Sequence, residues 1–191
     1  MVKYIRKREE GNMSKDFTRT LTKISLFAAL MAVSALIYIP LPIPITMQTL
    51  VMFCALFILG GRDGSIAVFV YLLLGTLGLP IFSGFTGGAA RLLDATGGYI
   101  IGMLFGSLIF WLLDVVLPKR EIFKIINSAV CLASIYAFGT LWFTFVYANG
   151  EKTLGAVLLT CVAPFVIPDA FKIYLAYCIS KKIPHRFLNV K

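Results

Sequence analysis

The sequence predicts an all-α integral membrane protein, with six transmembrane helices and both termini in the cytoplasm. The chain has 191 residues, of which 59% are hydrophobic and only 14% are charged. Soluble domains carry about 25% charged and about 45–50% apolar residues, so this composition is typical of a chain that lies in a lipid bilayer. Long uncharged stretches recur along it, and basic residues concentrate between alternate stretches.

The first half of the chain contains three predicted helices. The first is expected at residues 18–38 and ends before the proline-rich segment 40–44, because proline has no backbone N–H and disfavours helix in the residue before it. The second is expected at 47–59 and the third at 64–79, after a Gly-Gly-Arg-Asp turn. A spanning helix needs about 20 residues, so these two are short and are expected to pack against neighbouring helices.

A glycine-rich loop at 80–96 leads into the second half of the chain, which contains the other three helices. The fourth is expected at 97–117 and the fifth at 125–147, with a Pro-Lys-Arg-Glu turn between them. The last region, 154–179, is mostly apolar and long enough to span the bilayer, although prolines interrupt it.

The last region carries two prolines and two opposite charges. An ionisable group in hydrocarbon costs several kcal/mol, so it usually faces a protein interior, a partner or a ligand. Asp169 and Lys172 share one helix face at i and i+3, and Pro168 suits a first helical turn. We therefore predict that the helix is broken near Pro164 and Pro168, restarts at Pro168 and presents the charge pair to a binding cavity. The alternatives are one continuous helix, and a salt bridge that only neutralises the two charges.

The charge distribution predicts the orientation. All but three of the 18 Lys and Arg residues fall on one side of the membrane in a six-helix arrangement, which places both termini in the cytoplasm. The exceptions are Arg91, Lys152 and Lys172. The chain is predicted to form one membrane domain, 1–191, which consists of a basic cytoplasmic segment at 1–17, a six-helix bundle at 18–182 and a cytoplasmic tail at 183–191.

Several classes of function are disfavoured. There is no P-loop of the form GxxxxGK[ST], so the chain is not expected to hydrolyse ATP itself. The four cysteines stand singly in apolar segments, lack metal-ligand spacing and are interpreted as packing residues. The one histidine, His185, lies in the basic tail, so the usual base for Ser/His or Cys/His catalysis is missing. We expect neither an enzyme nor a bound metal or cofactor.

Polar and glycine-rich segments on the outer side supply candidate binding residues. The loops at 82–88 and 96–99 allow the backbone to approach a ligand closely, although they also fit ordinary turns. Arg91 is the one basic residue in this outer loop and can meet an anionic group or stay solvated. Gln48 can offer its amide to a ligand or to the carbonyls that the nearby prolines leave free.

Two lines of small residues indicate close helix packing in lipid. Gly98, Gly102 and Gly106 recur at four-residue spacing on the fourth helix, and we interpret them as internal packing rather than as a partner interface. Ala28 and Ala32 form a shorter line on the first helix, for which the residues alone leave both interpretations open.

The ordered motifs of the chain resemble those of the BioY family. They cover about residues 27–182, and the set is specific because its members occur in order. One departure is the segment 93–95, Leu-Asp-Ala, where a Gly-Pro pair is expected before the threonine. The motifs are Pro42-x-Pro44-x-Thr46-x-Gln48-Thr49, Tyr71-Leu72-Leu73-Leu74-Gly75-x-x-Gly78-Leu79-Pro80-x-Phe82, Gly87-Gly88, Thr96-Gly97-Gly98-Tyr99 and Pro168-Asp169-x-x-Lys172.

Members of this family are the biotin-binding S components of energy-coupling factor (ECF) transporters. The resemblance implies a multi-pass protein of the bacterial cell membrane that captures biotin with high affinity for uptake. It also implies docking on a transmembrane coupling subunit driven by two ATPase subunits, with Ala28 and Ala32 as the docking surface. Biotin is then the transported ligand, and no cofactor is implied.

The resemblance gives the candidate residues a ligand with a cyclic urea, an apolar bicycle and a carboxylate. Asp169 is expected to accept a urea N–H, and Lys172 or Arg91 to meet an oxygen or the carboxylate. Aromatic residues are expected to line the apolar part, since small-ligand sites are mostly apolar with a few placed polar groups. The expected ligand-binding residues are Gln48, Phe85, Arg91, Tyr99, Asp169 and Lys172.

Two alternative functions stay open at this point. One is an S component for another vitamin, such as thiamine or riboflavin. The other is a self-sufficient secondary transporter, against which stands the lack of an internal repeat in the sequence.

Overall fold

The computed structural model describes residues 2–41, 43–118, 120–148 and 153–183, with side chains from residue 15 onward. Helices dominate these ranges, which confirms the expectation of a mainly helical protein. The predicted tail after residue 183, together with Pro42 and Lys152, lies outside the described residues.

Seven α-helices make up most of the described chain. All but the first begin and end within a few residues of the predicted segments, and the first begins well upstream of its predicted start. A short 3₁₀ helix, Ala89–Leu93, lies before the fourth helix, and the fifth continues into a π-helical turn, Phe143–Tyr147. The helices are α1 (Val2–Ala35), α2 (Gln48–Leu59), α3 (Gly61–Thr76), α4 (Gly97–Val116), α5 (Glu121–Trp142), α6 (Leu154–Cys161) and α7 (Ala163–Lys182).

A small β-hairpin follows α1, so the all-α prediction is wrong at this point. Strand β1 (Tyr38–Ile39) pairs antiparallel with β2 (Ile45–Thr46). The N–H of Met47 donates to the carbonyl of Ile37 at 3.1 Å and extends the pairing. Pro40 and Pro44, which lie between the two strands, cannot continue a helix because they have no N–H. The hairpin returns the chain directly to the start of α2.

Within the described residues, two to three helical units are long and apolar enough to cross a membrane. They are α4, α5 with its π-helical turn, and the pair of α6 and α7, whose axes differ by 46°. By contrast, α2 has 12 residues, or about 18 Å, which is less than the roughly 30 Å of a hydrocarbon core. The count of six spanning helices and the cytoplasmic position of the termini therefore stay predictions.

The last helical region is interrupted at Val162, where α6 and α7 meet at the 46° bend. Pro164 falls in the first turn of α7, where its missing N–H is not needed, whereas Pro168 lies inside α7. The prediction that the helix restarts at Pro168 is therefore wrong. A proline one turn into a helix removes a single bond to the carbonyl four residues before it, and the helix continues through it here. Asp169 and Lys172 consequently lie in the second and third turns of α7.

The core surrounds α2, which packs against α1, α3 and α7, while α4 pairs along its length with α5. Phe53, at the centre of α2, is completely buried. Cys54, Cys131 and Cys161 are buried with free thiols and Cys178 is half-buried, which supports the interpretation of the cysteines as packing residues. This packing holds the first turn of α2 next to the middle of α7.

The line of Gly98, Gly102 and Gly106 faces α5, which confirms that it serves internal packing. A Cβ atom built at Gly102 would lie 3.1 Å from the carbonyl oxygen of Ile135, and one at Gly106 would lie 2.9 Å from the carbonyl oxygen of Cys131. The two helix backbones are therefore close enough that any side chain at these positions collides with backbone atoms.

Gly106→Leu is expected to lower the stability of the protein by about 1–3 kcal/mol, because the new side chain must push α5 away from α4. Gly155→Ala in α6 is the matched control, since a Cβ there meets nothing within 4 Å. Its stability should be unchanged or slightly raised. Thermal unfolding of both variants in detergent measures the difference, and a Gly106→Leu protein as stable as the parent would contradict this packing.

Candidate ligand-binding cleft

A cleft opens where the β-hairpin, the starts of α2 and α4, the middle of α5 and the bend between α6 and α7 come together. It contains about 680 Å³ of empty space when its open mouth is counted. Apolar side chains form most of the wall, among them Ile43, Phe82, Ile100, Leu132, Ile135 and Phe165.

The charge pair of α7 lines this cleft. The ammonium nitrogen of Lys172 lies 2.7 Å from Oδ1 of Asp169, and the two residues are only 5% and 4% exposed. Breaking such a buried pair by removing one partner costs about 3–5 kcal/mol, because the other charge is left uncompensated. The pair is therefore a fixed, net-neutral polar unit in an otherwise apolar wall.

Two hydroxyl groups from other helices complete the surroundings of this pair. Thr49, in the first turn of α2, donates to Oδ1 of Asp169 at 3.2 Å and accepts from the ammonium of Lys172 at 3.1 Å. Tyr136 of α5 donates to Oδ2 of the same carboxylate at 2.6 Å. Hydrogen bonds to a charged group are shorter and stronger than neutral ones, so three helices are tied together at Asp169.

Two further polar side chains face the cleft with weak or missing partners. Gln48 is only 6% exposed, and its amide nitrogen contacts the thioether sulfur of Met103 at 3.2 Å, which is a weak acceptor. The buried hydroxyl of Thr96 has no hydrogen-bond partner among the residues that the structure describes. Because buried polar groups are normally hydrogen-bonded, both side chains are suited to meet polar atoms of a ligand.

Four of the six predicted binding residues line the same cleft, namely Gln48, Tyr99, Asp169 and Lys172. They come from α2, α4 and α7, which are far apart in the sequence. Tyr99 is half-buried, and its hydroxyl donates to the carbonyl of Cys161 at 3.4 Å, at the end of α6.

The other two predicted binding residues do not line the cleft. Phe85 is 68% exposed on the loop before α4, and its backbone is left-handed with φ of 57°. Arg91 forms a salt bridge with Asp94, one of the residues at which the chain departs from the family motif. Their contact with a ligand stays a prediction.

The alanine pair of α1 lies against the core. Ala28 is 4% exposed and belongs to the main hydrophobic cluster, and Ala32 is half-buried and packs against the same cluster. Both therefore contribute to packing within the protein. Docking of another subunit at these positions stays a prediction.

The polar residues of the cleft that sequence reasoning missed include Thr49, Thr96 and Tyr136. Thr49 and Thr96 were part of the motifs, but a threonine in a glycine- or proline-rich segment has many ordinary roles, so neither stood out. Tyr136 had no signal in the sequence at all, because an isolated tyrosine in an apolar helix is more often a packing residue. Only the approach of α5 to α7 reveals that its hydroxyl reaches Asp169.

The cleft offers charged, amide and hydroxyl groups for reversible hydrogen bonding. In the ranges that the structure describes, no group of three or more His, Cys, Asp or Glu side chains is arranged to hold a metal ion. This geometry could accommodate a small molecule with its polar end at Asp169 and Lys172 and an apolar body against the wall.

Comparison with known proteins identifies relatives over most of the chain. The sequence profile of the BioY family matches residues 6–189. The chain is 36% identical over 168 residues to the biotin transporter BioY of Thermotoga maritima, with 86% of this chain and 95% of that protein covered. It is 35% identical over 162 residues to the probable biotin transporter BioY of Pyrococcus horikoshii, with 84% and 93% covered.

The fold has a relative among solved structures. The crystal structure of the S-component for biotin from an ECF-type ABC transporter matches with a TM-score of 0.77 and 27% sequence identity, and the match covers 88% of this chain and 92% of that one. Sequence and fold thus agree along nearly the whole length. The chain belongs to the BioY family.

Proposed function

We propose that this protein captures biotin and serves as the substrate-binding component of an ECF-type vitamin transporter. The observation that carries the proposal is the buried Asp169–Lys172 pair at the end of a mostly apolar cleft. The relative in Thermotoga maritima is a biotin transporter, the one in Pyrococcus horikoshii is a probable biotin transporter, and the matching solved structure is an S-component for biotin. These relatives are transporters, which supports the expectation that the chain is not an enzyme.

The chemistry of biotin fits the groups that the cleft presents. A cyclic urea has N–H donors and a carbonyl acceptor, which suit the carboxylate of Asp169 and the ammonium of Lys172. The apolar bicycle and chain suit the aliphatic and aromatic wall, with Tyr99 along one side. Gln48 and the unpartnered hydroxyl of Thr96 remain available for further polar contacts.

We place the carboxylate end of biotin toward the loop between α3 and α4. Phe82, Ser83 and Thr96 of this loop line the cleft, and Phe85 and Arg91 lie between them in the sequence. Arg91 would meet the carboxylate after release from Asp94, and Phe85 would cover the apolar chain. Both contacts require the loop to move over the ligand.

The proposal also includes the surroundings of the protein. We place it in the bacterial cell membrane as a multi-pass protein with six spans and both termini in the cytoplasm, in agreement with the charge distribution. Its partners are a transmembrane coupling subunit and two ATPase subunits. Docking would use the face of α1 that carries the half-buried Ala32, with Ala28 supporting close packing beneath it.

A ligand panel tests the proposed function directly. Purified protein in detergent is titrated calorimetrically with biotin, thiamine and riboflavin. Biotin is expected to bind with about one molecule per chain, and the other two vitamins to give no saturable signal, because neither carries a five-membered cyclic urea fused to a small apolar ring. Saturable binding of another vitamin without binding of biotin would contradict the proposal.

A second measurement separates an S component from a self-sufficient transporter. The protein alone is reconstituted into vesicles, and uptake of labelled biotin is followed with and without a proton or sodium gradient. We expect binding without gradient-driven accumulation. Accumulation driven by either gradient would assign the chain to the secondary transporters instead.

A further inference from the structure

We infer that Thr49 and Tyr136 are positioning residues that leave the Asp169–Lys172 pair with one free acceptor and one free donor for the ligand. A neighbouring acceptor and donor match the edge of a cyclic urea, which has an N–H beside a C=O. The inference rests on the proposed function and adds the residues that set its specificity.

The carboxylate of Asp169 supplies the acceptor of this pattern. An ionised carboxylate has about four acceptor positions on its two oxygens. In Asp169, Oδ1 accepts from Lys172 at 2.7 Å and from Thr49 at 3.2 Å, and Oδ2 accepts from Tyr136 at 2.6 Å. Three of the four positions are therefore used by the protein, and the free one is on Oδ2.

The ammonium group of Lys172 supplies the hydrogen-bond donor of this pattern. A lysine ammonium has three N–H donors and no acceptor. In Lys172, one donor is used by Asp169 and one by Thr49, which accepts at 3.1 Å. One N–H therefore remains for an acceptor atom of a ligand.

The two hydroxyl groups that bond to the charge pair come from two other helices. Thr49 reaches the pair from α2 and Tyr136 reaches it from α5, whereas both charged residues belong to α7. Contacts from two further helices restrict the rotation of the carboxylate, so that its free position keeps one direction. Without them, Asp169 would gain acceptor positions and Lys172 a donor, and the pair would fit a wider range of hydrogen-bonding patterns.

The inference predicts a change in ligand discrimination. Calorimetric and competition titrations compare biotin with 2-iminobiotin, which carries a nitrogen donor where biotin has its carbonyl acceptor. Tyr136→Phe and Thr49→Val should each bind biotin about tenfold more weakly, because the charge pair is no longer held in the orientation that meets the ligand. The affinity for 2-iminobiotin should fall much less, since the vacated acceptor position can take its extra N–H.

Conservative and matched variants distinguish positioning from a general structural role. Thr49→Ser keeps the hydroxyl and should retain the affinity for biotin. Tyr174→Phe removes a hydroxyl from an exposed tyrosine of α7 outside the cleft and should change neither ligand. Thermal unfolding in detergent confirms that each variant is folded before titration.

The outcomes are separable from those that test the proposed function. If the parent protein does not bind biotin, the proposed function fails. If the parent binds biotin but Tyr136→Phe and Thr49→Val bind it equally well, the inference fails while the function stands. An equal loss of affinity for biotin and for 2-iminobiotin would also overturn the inference. That result would show that the whole cleft has loosened, and not that the charge pair has lost a specific pattern of donor and acceptor.

Discussion

Asp169→Asn is expected to lower the affinity for biotin by at least about 30-fold. The substitution keeps the size of the side chain but removes the charge, so Lys172 loses its counter-ion inside a buried wall. It also replaces one oxygen with an N–H₂ group, which cannot accept from the ligand or from Tyr136. Removing one partner of a buried, hydrogen-bonded charge pair costs about 2–5 kcal/mol, and each 1.4 kcal/mol corresponds to about tenfold in affinity.

Calorimetric titration of purified protein measures this effect. Asp114→Asn is the matched control, because Asp114 undergoes the same chemical change outside the cleft, where its carboxylate accepts from the backbone N–H of Gly61 at 3.3 Å. The control should bind biotin like the parent protein. Parent-like affinity in Asp169→Asn would exclude the α7 charge pair as the ligand site.

The double variant Asp169→Asn/Lys172→Met is expected to regain most of the stability that either single variant loses, and still to bind no biotin. A single substitution leaves one buried charge without its partner, whereas the double substitution replaces both charges with neutral side chains of similar size. Replacing a buried ion pair in this way is often neutral or stabilising, while breaking it costs about 3–5 kcal/mol.

This result separates two roles of the pair that remained open from the sequence. If the salt bridge only neutralised two charges in the membrane, the double variant would be stable and would bind biotin normally. If the pair contacts the ligand, the double variant regains stability but does not regain the affinity for biotin. Thermal unfolding in detergent and calorimetric titration of the two single variants and the double variant give both quantities on the same protein preparations.

The helical segments were largely predictable because they depend on local patterns. Uncharged stretches and basic turns located α2 to α5 within a few residues, since hydrophobicity and helix-breaking residues act within one segment. The hairpin of β1 and β2 was not predicted. Its strands have two residues each, and such short extended pieces have no periodicity that sequence reasoning can detect.

The exact position of the break in the last helical region was not predictable from its prolines. Pro164 and Pro168 both predicted an interruption, yet the chain bends at Val162 and continues helically through Pro168. A proline removes one hydrogen bond wherever it stands, and its sequence position does not say whether packing compensates for that loss. The packing of α7 against α2 favours a continuous helix at this point.

One part of the candidate site was predictable from the sequence, and another part was not. The sequence by itself determined that Asp169 and Lys172 must face something other than lipid, because an uncompensated charge in hydrocarbon is too costly, and their i, i+3 spacing placed them on one face. It determined the family as well, through ordered motifs along the chain.

Only the tertiary structure decided which groups surround the pair. Thr49 and Tyr136 lie 120 and 33 residues away from Asp169 in the chain, and their hydroxyls reach it because α2 and α5 flank α7. It also placed Phe85 and Arg91 outside the cleft and Ala28 in the core. The physical reason is that the cost of burying a charge is a property of one residue, whereas the hydrogen bonds that satisfy it depend on how separate helices pack.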